Sequence, residues 1–439
     1  MGSASHSQTV RIAISGYYGY RNSGDEAVLR SILLALEEQG AAQGVRVQPV
    51  VLSADPAWTS SMYGVEAAHR MRPADILRTL RGCDGLISGG GSLLQDATGT
   101  KTIPYYTGIM RLAQLLGKPT FAYAQGIGPV NRRWMDPLIR GVMRRSAYVS
   151  VRDAESADLL ARIGVARERI EVVPDPVMGL PLPEGAETSV DADALQAPSE
   201  ALAADHAGSA TADSASRLST GGGQAAPEEA ALRGVKPPAS PDAPVVPVVT
   251  DASVTPIVGV SLRSWRQDGA DLARAAEALI TLSKRRSVTL RFLPFHTPSD
   301  VVTSQEMIER LRGKLGEGSS AELAAPGDDP QQMLLEVSRC DVLFGMRLHA
   351  LIYAANRMVP MLGLSYDPKI DHFLHRIGLT AIGDTEQLDP ELFANEAVAL
   401  LDNPDEWRKK HVPAIDLLKQ QSQQPAQQIV TYLRQYRSR

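Results

Sequence analysis

The chain has 439 residues, with 45 Lys+Arg against 50 Asp+Glu, a formal net charge of −5 and a pI near 6.0. That balance argues against bulk nucleic-acid binding, while 44% hydrophobic and 22% charged residues fit a soluble globular chain long enough for two domains. Cys83 and Cys340 stand far apart without CxxC spacing, which excludes a disulfide framework and a thiolate zinc site and fits a reducing cytoplasm.

No apolar run reaches membrane-spanning length. Residues 1–10 are polar and small rather than basic then apolar, which predicts a disordered leader and no signal peptide; the opening Met1-Gly2-Ser3-Ala4-Ser5 is only loosely like a lipidation motif.

Residues 11–15 read as a short apolar strand, followed by a Gly/Tyr-rich loop and a helix with Val28, Leu29, Ile32, Leu33 and Leu36 on one face. Further strands are predicted at 48–52, 85–88, 120–124, 148–151 and 170–173, with helical stretches between most of them. Short buried strands alternating with helices are the pattern of a parallel sheet covered on both faces. Residues 184–253 contain no Phe, Tyr, Trp, Ile or Met and are rich in Ala, Ser, Asp, Gly and Pro, so a disordered linker is expected over 183–254. Strands then resume at 257–262, 288–293, 341–344 and 359–364, with helices over 271–285 and 304–315 and another starting at Leu348. From about Leu388 the chain reads as charged helices interrupted by Pro413 and Pro425. The expected organisation is an N-terminal domain over 8–182, the linker, a C-terminal domain over 255–385 and terminal helices over 386–439. Two such sheets would hold a ligand in the cleft between their strand ends.

The loops after the first-half strands are rich in glycine and hydroxyl-binding groups. Gly16 to Glu26 carries Tyr18, Asn22 and Asp25; Ser88 to Asp96 carries Gly90, Gly91, Gln95 and Asp96; the loop after 120–124 begins with Gln125. Glycines admit close approach of a ligand, and Tyr, Asn, Gln and Asp supply stacking and hydroxyl-directed hydrogen bonds, which suits a sugar. The GxGxxG spacing of a dinucleotide site is absent. Asp25 equally suits a helix N-terminus, where the dipole favours an acid. The second-half loops are basic. Arg263, Trp265 and Arg266 follow one strand, Phe295 and His296 another, and Arg347, Leu348 and His349 stand where a strand runs straight into a helix. Unpaired N–H groups, a guanidinium and an imidazole at that junction make an anion site that also holds a proton donor. His372 and His375, on the amphipathic helix that follows, read as structural, as does Cys340. Arg132, Arg133, Trp134, Arg140, Arg144 and Arg145 interleave with Leu138, Ile139, Val142 and Met143, which reads as a basic amphipathic helix. It suits an anionic membrane surface or a lipid diphosphate, and equally a sheet-covering helix with a solvated face.

Taken together, "GYYGYRNSGDEAVL" (16–29), "ISGGGSLLQD" (87–96), "YAQGIGP" (123–129), "VSVRD" (149–153), "VPDPV" (173–177), "GVSLRSW" (259–265), "PFH" (294–296) and "GMRLHALIYA" (345–354) resemble the polysaccharide pyruvyltransferase family. Within it the chain is most similar to the bacterial branch acting on secondary cell wall polymers whose product anchors S-layer proteins. The resemblance implies a GT-B-like α/β enzyme, two Rossmann-like parallel-sheet domains facing across a cleft. It further implies transfer of pyruvate from phosphoenolpyruvate (PEP), as a 4,6-ketal, to β-N-acetylmannosamine of a lipid-linked disaccharide at the cytoplasmic membrane face. PEP is then a co-substrate and no cofactor or metal is needed. On this reading Arg263, Arg347, Leu348 and His349 hold PEP, and protonated His349 or His296 donates to the PEP methylene. Asp25 or Asp96 accepts hydroxyl protons, while Tyr18, Asn22, Asp25, Gly90, Gly91, Gln95 and Gln125 hold the acceptor. Two rivals remain. One is a sugar-nucleotide glycosyltransferase on the same architecture with Asp367 holding a ribose; the other is a non-catalytic cell-wall glycan-binding protein.

Overall fold

The computed structural model describes residues 8–97, 99–186 and 255–437. Residues 1–7 of the expected leader and, from residue 187 on, the expected linker lie outside the described residues, whereas residues 8–10, read as leader, open the first strand because they pair with the neighbouring strand of a parallel sheet. The first lobe runs β1 (Gln8–Ser15), α1 (Ser23–Gln43), β2 (Val45–Ser53), α2 (Pro56–Tyr63), β3 (Glu66–His69), α3 (Pro73–Gly82), β4 (Gly85–Gly89) and α4 (Thr102–Leu115). It continues through β5 (Thr120–Gln125), α5 (Asp136–Met143), β6 (Tyr148–Val151), α6 (Ala154–Arg162) and β7 (Ile170–Val172). These strands form a seven-stranded sheet in the order β3-β2-β1-β4-β5-β6-β7, every pair parallel. The second lobe contains β8 (Ile257–Ser261), α7 (Ala270–Arg285), β9 (Thr289–Phe292), α8 (Ser299–Leu311), β10 (Ser320–Leu323), α9 (Pro330–Ser338) and β11 (Val342–Gly345). It is completed by α10 (Leu348–Asn356), β12 (Met361–Ser365), α11 (Pro368–Arg376) and β13 (Gly383–Asp384). Its six strands are again all parallel, in the order β10-β9-β8-β11-β12-β13.

Buried strands explain the parallel topology. All five residues of β4 and all six of β5 are buried, as are all four of β11, so both faces of each sheet need covering by crossover helices. Three strands escape the hydrophobic pattern, namely β3, β10 and β13. All are sheet edges, and β10 alternates exposed and half-buried residues, so burial leaves little trace in its sequence.

In each sheet the strand order reverses beside the first strand, between β1 and β4 and between β8 and β11. The loops after these strands diverge to opposite faces and open a crevice at the carboxyl ends of the strands. The protein thus has two doubly wound lobes on the GT-B plan, and the described residues of both belong to one compact unit.

Polar bonds lock the lobes together. Ser23 N–H donates to Phe295 O at 2.9 Å, and Arg30 Nε donates to Gln331 Oε1 at 2.7 Å. Buried Asn356 donates through Nδ2 to the carbonyls of Val177, Met178 and Leu180 at 2.8–3.1 Å. After α12 (Pro390–Asp402) and α13 (Pro404–Ser422), α14 (Gln424–Arg437) returns to the first lobe, where Tyr432 meets Phe121 edge-on at 5.4 Å. Pro413 does not interrupt the terminal helices as expected. It sits inside α13, which runs on through the position, whereas Pro425 falls in the first turn of α14.

Candidate active site

At the meeting of the two crevices lies a cavity of about 410 Å³. Asn22, Asp25, Gly91 and Gln95 line it from the first lobe; Arg263, Arg347, Leu348 and His349 line it from the second. All eight come from strand-to-helix segments singled out in the sequence, in loops or in the first helical turn, and they converge because each segment leaves a strand beside a switch point.

Two helix N-termini face this space and differ in how their amides are satisfied. In α1, Asn22 is the N-cap and its Oδ1 accepts from Gly24 N–H at 3.1 Å. Glu26, fully buried in the first turn, accepts from Gly19 N–H at 2.8 Å and Tyr63 O–H at 2.9 Å, so it folds the preceding loop back onto the helix. Asp25, its neighbour, turns into the cavity. Burial and then the nearby Glu26 and Asp175 raise the Asp25 pKa to about 7, against the pull of Arg152 and Lys369. In α10, Arg347 occupies the N-cap position and no side chain caps the amides. That end remains open to an anion.

His349, in the first turn of α10, packs over the start of α1. A Cβ on Gly24 would lie 2.2 Å from His349 Nδ1, so the glycine is what admits the ring. Its Nε2 is 3.8 Å from Asp175 Oδ2, and neither atom has a hydrogen-bond partner among the described residues. Burial lowers the His349 pKa to about 4; Asp175 opposes this, while Arg152, Lys369 and Arg347 add to it. The imidazole is therefore uncharged at neutral pH, contrary to the expectation of a standing protonated donor, because burial among cations disfavours a further positive charge.

Arg347 is also differently employed. Its Nε donates to Asp300 Oδ2 at 3.0 Å and its Nη2 bonds to Asp300 Oδ1, so a buried carboxylate already engages the fork expected for a bidentate substrate contact. Arg263 is less committed. It donates through Nη1 to Tyr366 O–H at 3.0 Å, lies 5.1 and 5.0 Å from the Trp265 and Tyr366 ring centroids, and its Nε has no partner among the described residues.

Five expected site residues do not line the cavity. Tyr18 is buried in the core, its hydroxyl donating to Gly89 O at 3.3 Å beneath the loop; the adjacent Tyr17 takes the cavity wall instead. Gly90 backs onto α1, where an added Cβ would fall 1.9 Å from Val28 Cγ1. Gln125 is fully buried in β5, accepting from Ser88 O–H at 3.4 Å. Asp96 is buried and accepts from the backbone N–H groups of Asn131 and Arg132 at 2.8–3.0 Å. Burial alone would raise its pKa, yet these bonds outweigh that and hold it below the ordinary carboxylate value. An acceptor-saturated, acidic carboxyl is a poor general base, so Asp96 is a loop anchor. His296 bonds through Nδ1 to Ser299 Oγ at 3.0 Å, outside the cavity; burial, then Arg347 and Arg263, lower its pKa against the pull of Asp300.

Sequence reasoning passed over several wall residues: Tyr17, Ser92, Tyr106, Arg152, Tyr366 and Lys369. Arg152 directly follows β6, donates to Ser92 Oγ at 2.7 Å and lies 3.7 Å from Asp175 Oδ2. Asp175 itself is an ordinary turn-former by sequence, flanked by Pro174 and Pro176. A lone cation directly after a buried strand, and a carboxylate fixed between two prolines, were the signals available. Arg70 supports this wall from behind. Its guanidinium lies within 4.8–5.7 Å of the centroids of Tyr17, Tyr20, Tyr105 and Tyr106 and donates to Gly16 O at 2.8 Å. Asp367, the residue a ribose would need, is instead the N-cap of α11 and pairs with Lys369 at 2.9 Å. Among the described residues no group of three or more His, Cys, Asp or Glu side chains could hold a metal ion.

The cavity therefore offers Arg263, Arg347, Lys369 and an open helix end on one side, and on the other hydroxyl-binding groups, a carboxyl near neutrality and Arg152 paired with Asp175. Comparison with solved structures gives the fold. UDP-GlcNAc 2-epimerase from Neisseria meningitidis, bound to UDP-GlcNAc, superposes with a TM-score of 0.55 at 10% identity, covering 97% of this chain and 99% of that one. HepE from Anabaena in complex with UDP-glucose gives 0.53 at 12%, over 96% and 98%. A glycosyltransferase from Rickettsia africae gives 0.53 at 11%, over 98% and 99%. These identities show a shared two-lobed architecture and nothing about substrate. No match was found among curated proteins. The family model for polysaccharide pyruvyl transferase matches residues 22–368, from the N-cap of α1 to the start of α11 and so across both cavity walls, and the chain belongs to that family.

Proposed function

We propose that the protein transfers pyruvate from PEP, as a 4,6-ketal, onto β-N-acetylmannosamine of a lipid-linked cell wall precursor, of the kind whose product anchors S-layer proteins, and releases phosphate. The reaction takes place at the cytoplasmic membrane face and needs no cofactor. The observation that carries this reading is the distribution of charge across one cavity, with Arg263, Arg347, Lys369 and the uncapped end of α10 facing Asp25, Asn22 and Gln95, while the first lobe's own cation, Arg152, is paired with Asp153 and Asp175.

PEP has a phosphate and a carboxylate. Arg263 and the α10 amides bind one anionic group, and Arg347, steadied by Asp300, with Lys369 binds the other. His349 gains its proton from this encounter. An anionic oxygen about 4 Å away contributes ~4 kcal/mol at an effective dielectric near 20, roughly three pKa units. That returns the imidazole to the neutral range, and Asp175 at 3.8 Å then faces an imidazolium. His349 protonates the PEP methylene carbon, leaving positive charge on C2, and the first sugar hydroxyl adds there while Asp25 accepts its proton. The C2–O bond to phosphate breaks, the second hydroxyl adds to the same carbon, and its proton leaves with phosphate. Both hydroxyls are held against C2, so positioning supplies much of the rate.

The rival is a sugar-nucleotide glycosyltransferase, favoured only by the UDP-bound neighbours of this fold. Purified protein incubated with PEP and a lipid-linked disaccharide is expected to give a product heavier by one pyruvate ketal, with one phosphate released. Thermal stabilisation by UDP and not by PEP, with no ketal formed, would overturn the reading.

A further inference from the structure

Five arginines, Arg132, Arg133, Arg140, Arg144 and Arg145, stand between positions 132 and 145 of a chain whose net charge is −5, with Asp136 the one acid in that stretch. Folding sorts them. Met135, Ile139, Val142 and Met143 are buried against the first sheet, and every one of the arginines is left exposed. Among the described residues Arg133, Arg140, Arg144 and Arg145 make no ion pair with an acid; Arg145 donates to Gly141 O at 2.7 Å. Arg140, Arg144 and Arg145 border a groove of about 450 Å³ floored by Pro137 and Gly141. Beside it two apolar side chains face water, Trp134 at 56% and Leu138 at 38% exposure. Cations flanking an exposed indole and an isobutyl group match the headgroup and acyl boundary of a bilayer, where Trp is favoured and arginines meet anionic lipid.

We infer that this flank of the first lobe docks on a membrane surface containing anionic phospholipid. It is physically tied to the cavity. Asp96, which grips Asn131 and Arg132 at the head of the patch, ends the loop whose Gly91, Ser92, Leu93 and Gln95 line the cavity. A docked first lobe would therefore hold the cavity wall proposed for the acceptor close to the lipid that carries it. The inference rests on the proposed function only for that purpose, since the patch itself is defined without reference to turnover.

The experiment is flotation of the full chain with vesicles of phosphatidylcholine, alone or with about 30% phosphatidylglycerol, in the absence of PEP and acceptor. The wild type should float with the anionic vesicles, lose that binding at high salt and stay in solution with phosphatidylcholine alone. The triple variant Arg140→Ser, Arg144→Ser, Arg145→Ser should partition about 100-fold more weakly, the effect of three basic side chains at a charged surface. Trp134→Ala should weaken partition by about fivefold, and both variants should turn over a water-soluble acceptor at the wild-type rate. Equal flotation of wild type and triple variant, or no flotation of the wild type, overturns the inference. Displacement from the vesicles by stoichiometric RNA would assign the patch to nucleic acid and overturn it too. Because vesicle binding is read without turnover, failed ketal formation and failed docking remain distinguishable.

Discussion

The loop from β1 into α1 and the loop from β11 into α10 use one local device, a buried strand handing the chain to a helix whose first amides face the cavity. At α1 the sequence satisfies those amides itself, with Asn22 as cap and two acids, Asp25 and Glu26, in the first turn. At α10 it supplies no capping side chain, no acid, and an arginine at the N-cap position. An identical backbone feature is thus closed to anions in one lobe and open in the other. The difference teaches that two lobes of one fold can offer opposite chemistry to a shared cavity, and on the proposed reaction it assigns the anionic donor to the second lobe.

The sharpest way to break that comparison is to remove the imidazole at the open end. His349→Gln is expected to lower ketal formation about a thousandfold, within the range of general-acid catalysis, with little change in Tm. The same variant should abolish proton uptake on PEP binding, measured calorimetrically in buffers of different ionisation heat; undiminished uptake would show another group takes the proton. Closing the contact between the two helix ends should cost nearly as much. In Gly24→Ala the new Cβ would sit 2.2 Å from His349 Nδ1, displacing the ring, and a loss of about a hundredfold in kcat is expected from such misplacement. Unchanged kcat would mean the ring position does not matter.

Arg347→Lys should raise KM for PEP by roughly tenfold to a hundredfold, since an ammonium cannot hold Asp300 and a substrate oxygen together. Wild-type affinity would remove Arg347 from the anion site. At the closed end, Asp25→Asn should depress activity yet stabilise the fold above neutrality. The carboxyl has a native pKa of about 7, above its ordinary 3.8, so ionisation is disfavoured in the folded state. Its stability contribution is complete below pH 4 and is lost as pH rises through 7. The variant should gain on the order of 1–2 kcal/mol at pH 8, discounted for partial exposure, and nothing at pH 4. A gain at both pH values would contradict the raised pKa. Smallest in catalysis is Asp96→Asn, expected to cost about 1–3 kcal/mol in denaturant unfolding with turnover altered less than about threefold. A large loss of kcat without destabilisation would restore Asp96 as a catalytic base.

Much of the site was legible because the chemistry-bearing loops follow buried strands, and such strands announce themselves as apolar runs. Eight residues read from those loops, Asn22, Asp25, Gly91, Gln95, Arg263, Arg347, Leu348 and His349, share the cavity. What one dimension could not show was direction. Tyr17 and Tyr18 are neighbours of one type, yet successive side chains leave the backbone on opposite sides, and only packing against Gly16 and Gly89 decides that Tyr18 goes inward. Asp25 and Asp96 are alike in sequence, and one is desolvated beside other acids while the other is saturated with N–H donors.

By itself the sequence determined alternation of buried strands and helices, hence two parallel sheets, and a half with loops rich in glycine and hydroxyl-binding groups set against a basic one. Tertiary structure alone decided which charges remain free. Asp300 occupies the fork of Arg347, Asp175 comes to within reach of His349 from the other lobe, and burial removes the proton that an isolated imidazole would share with water. Charge is written residue by residue along a chain, whereas desolvation and pairing depend on groups brought together from distant positions.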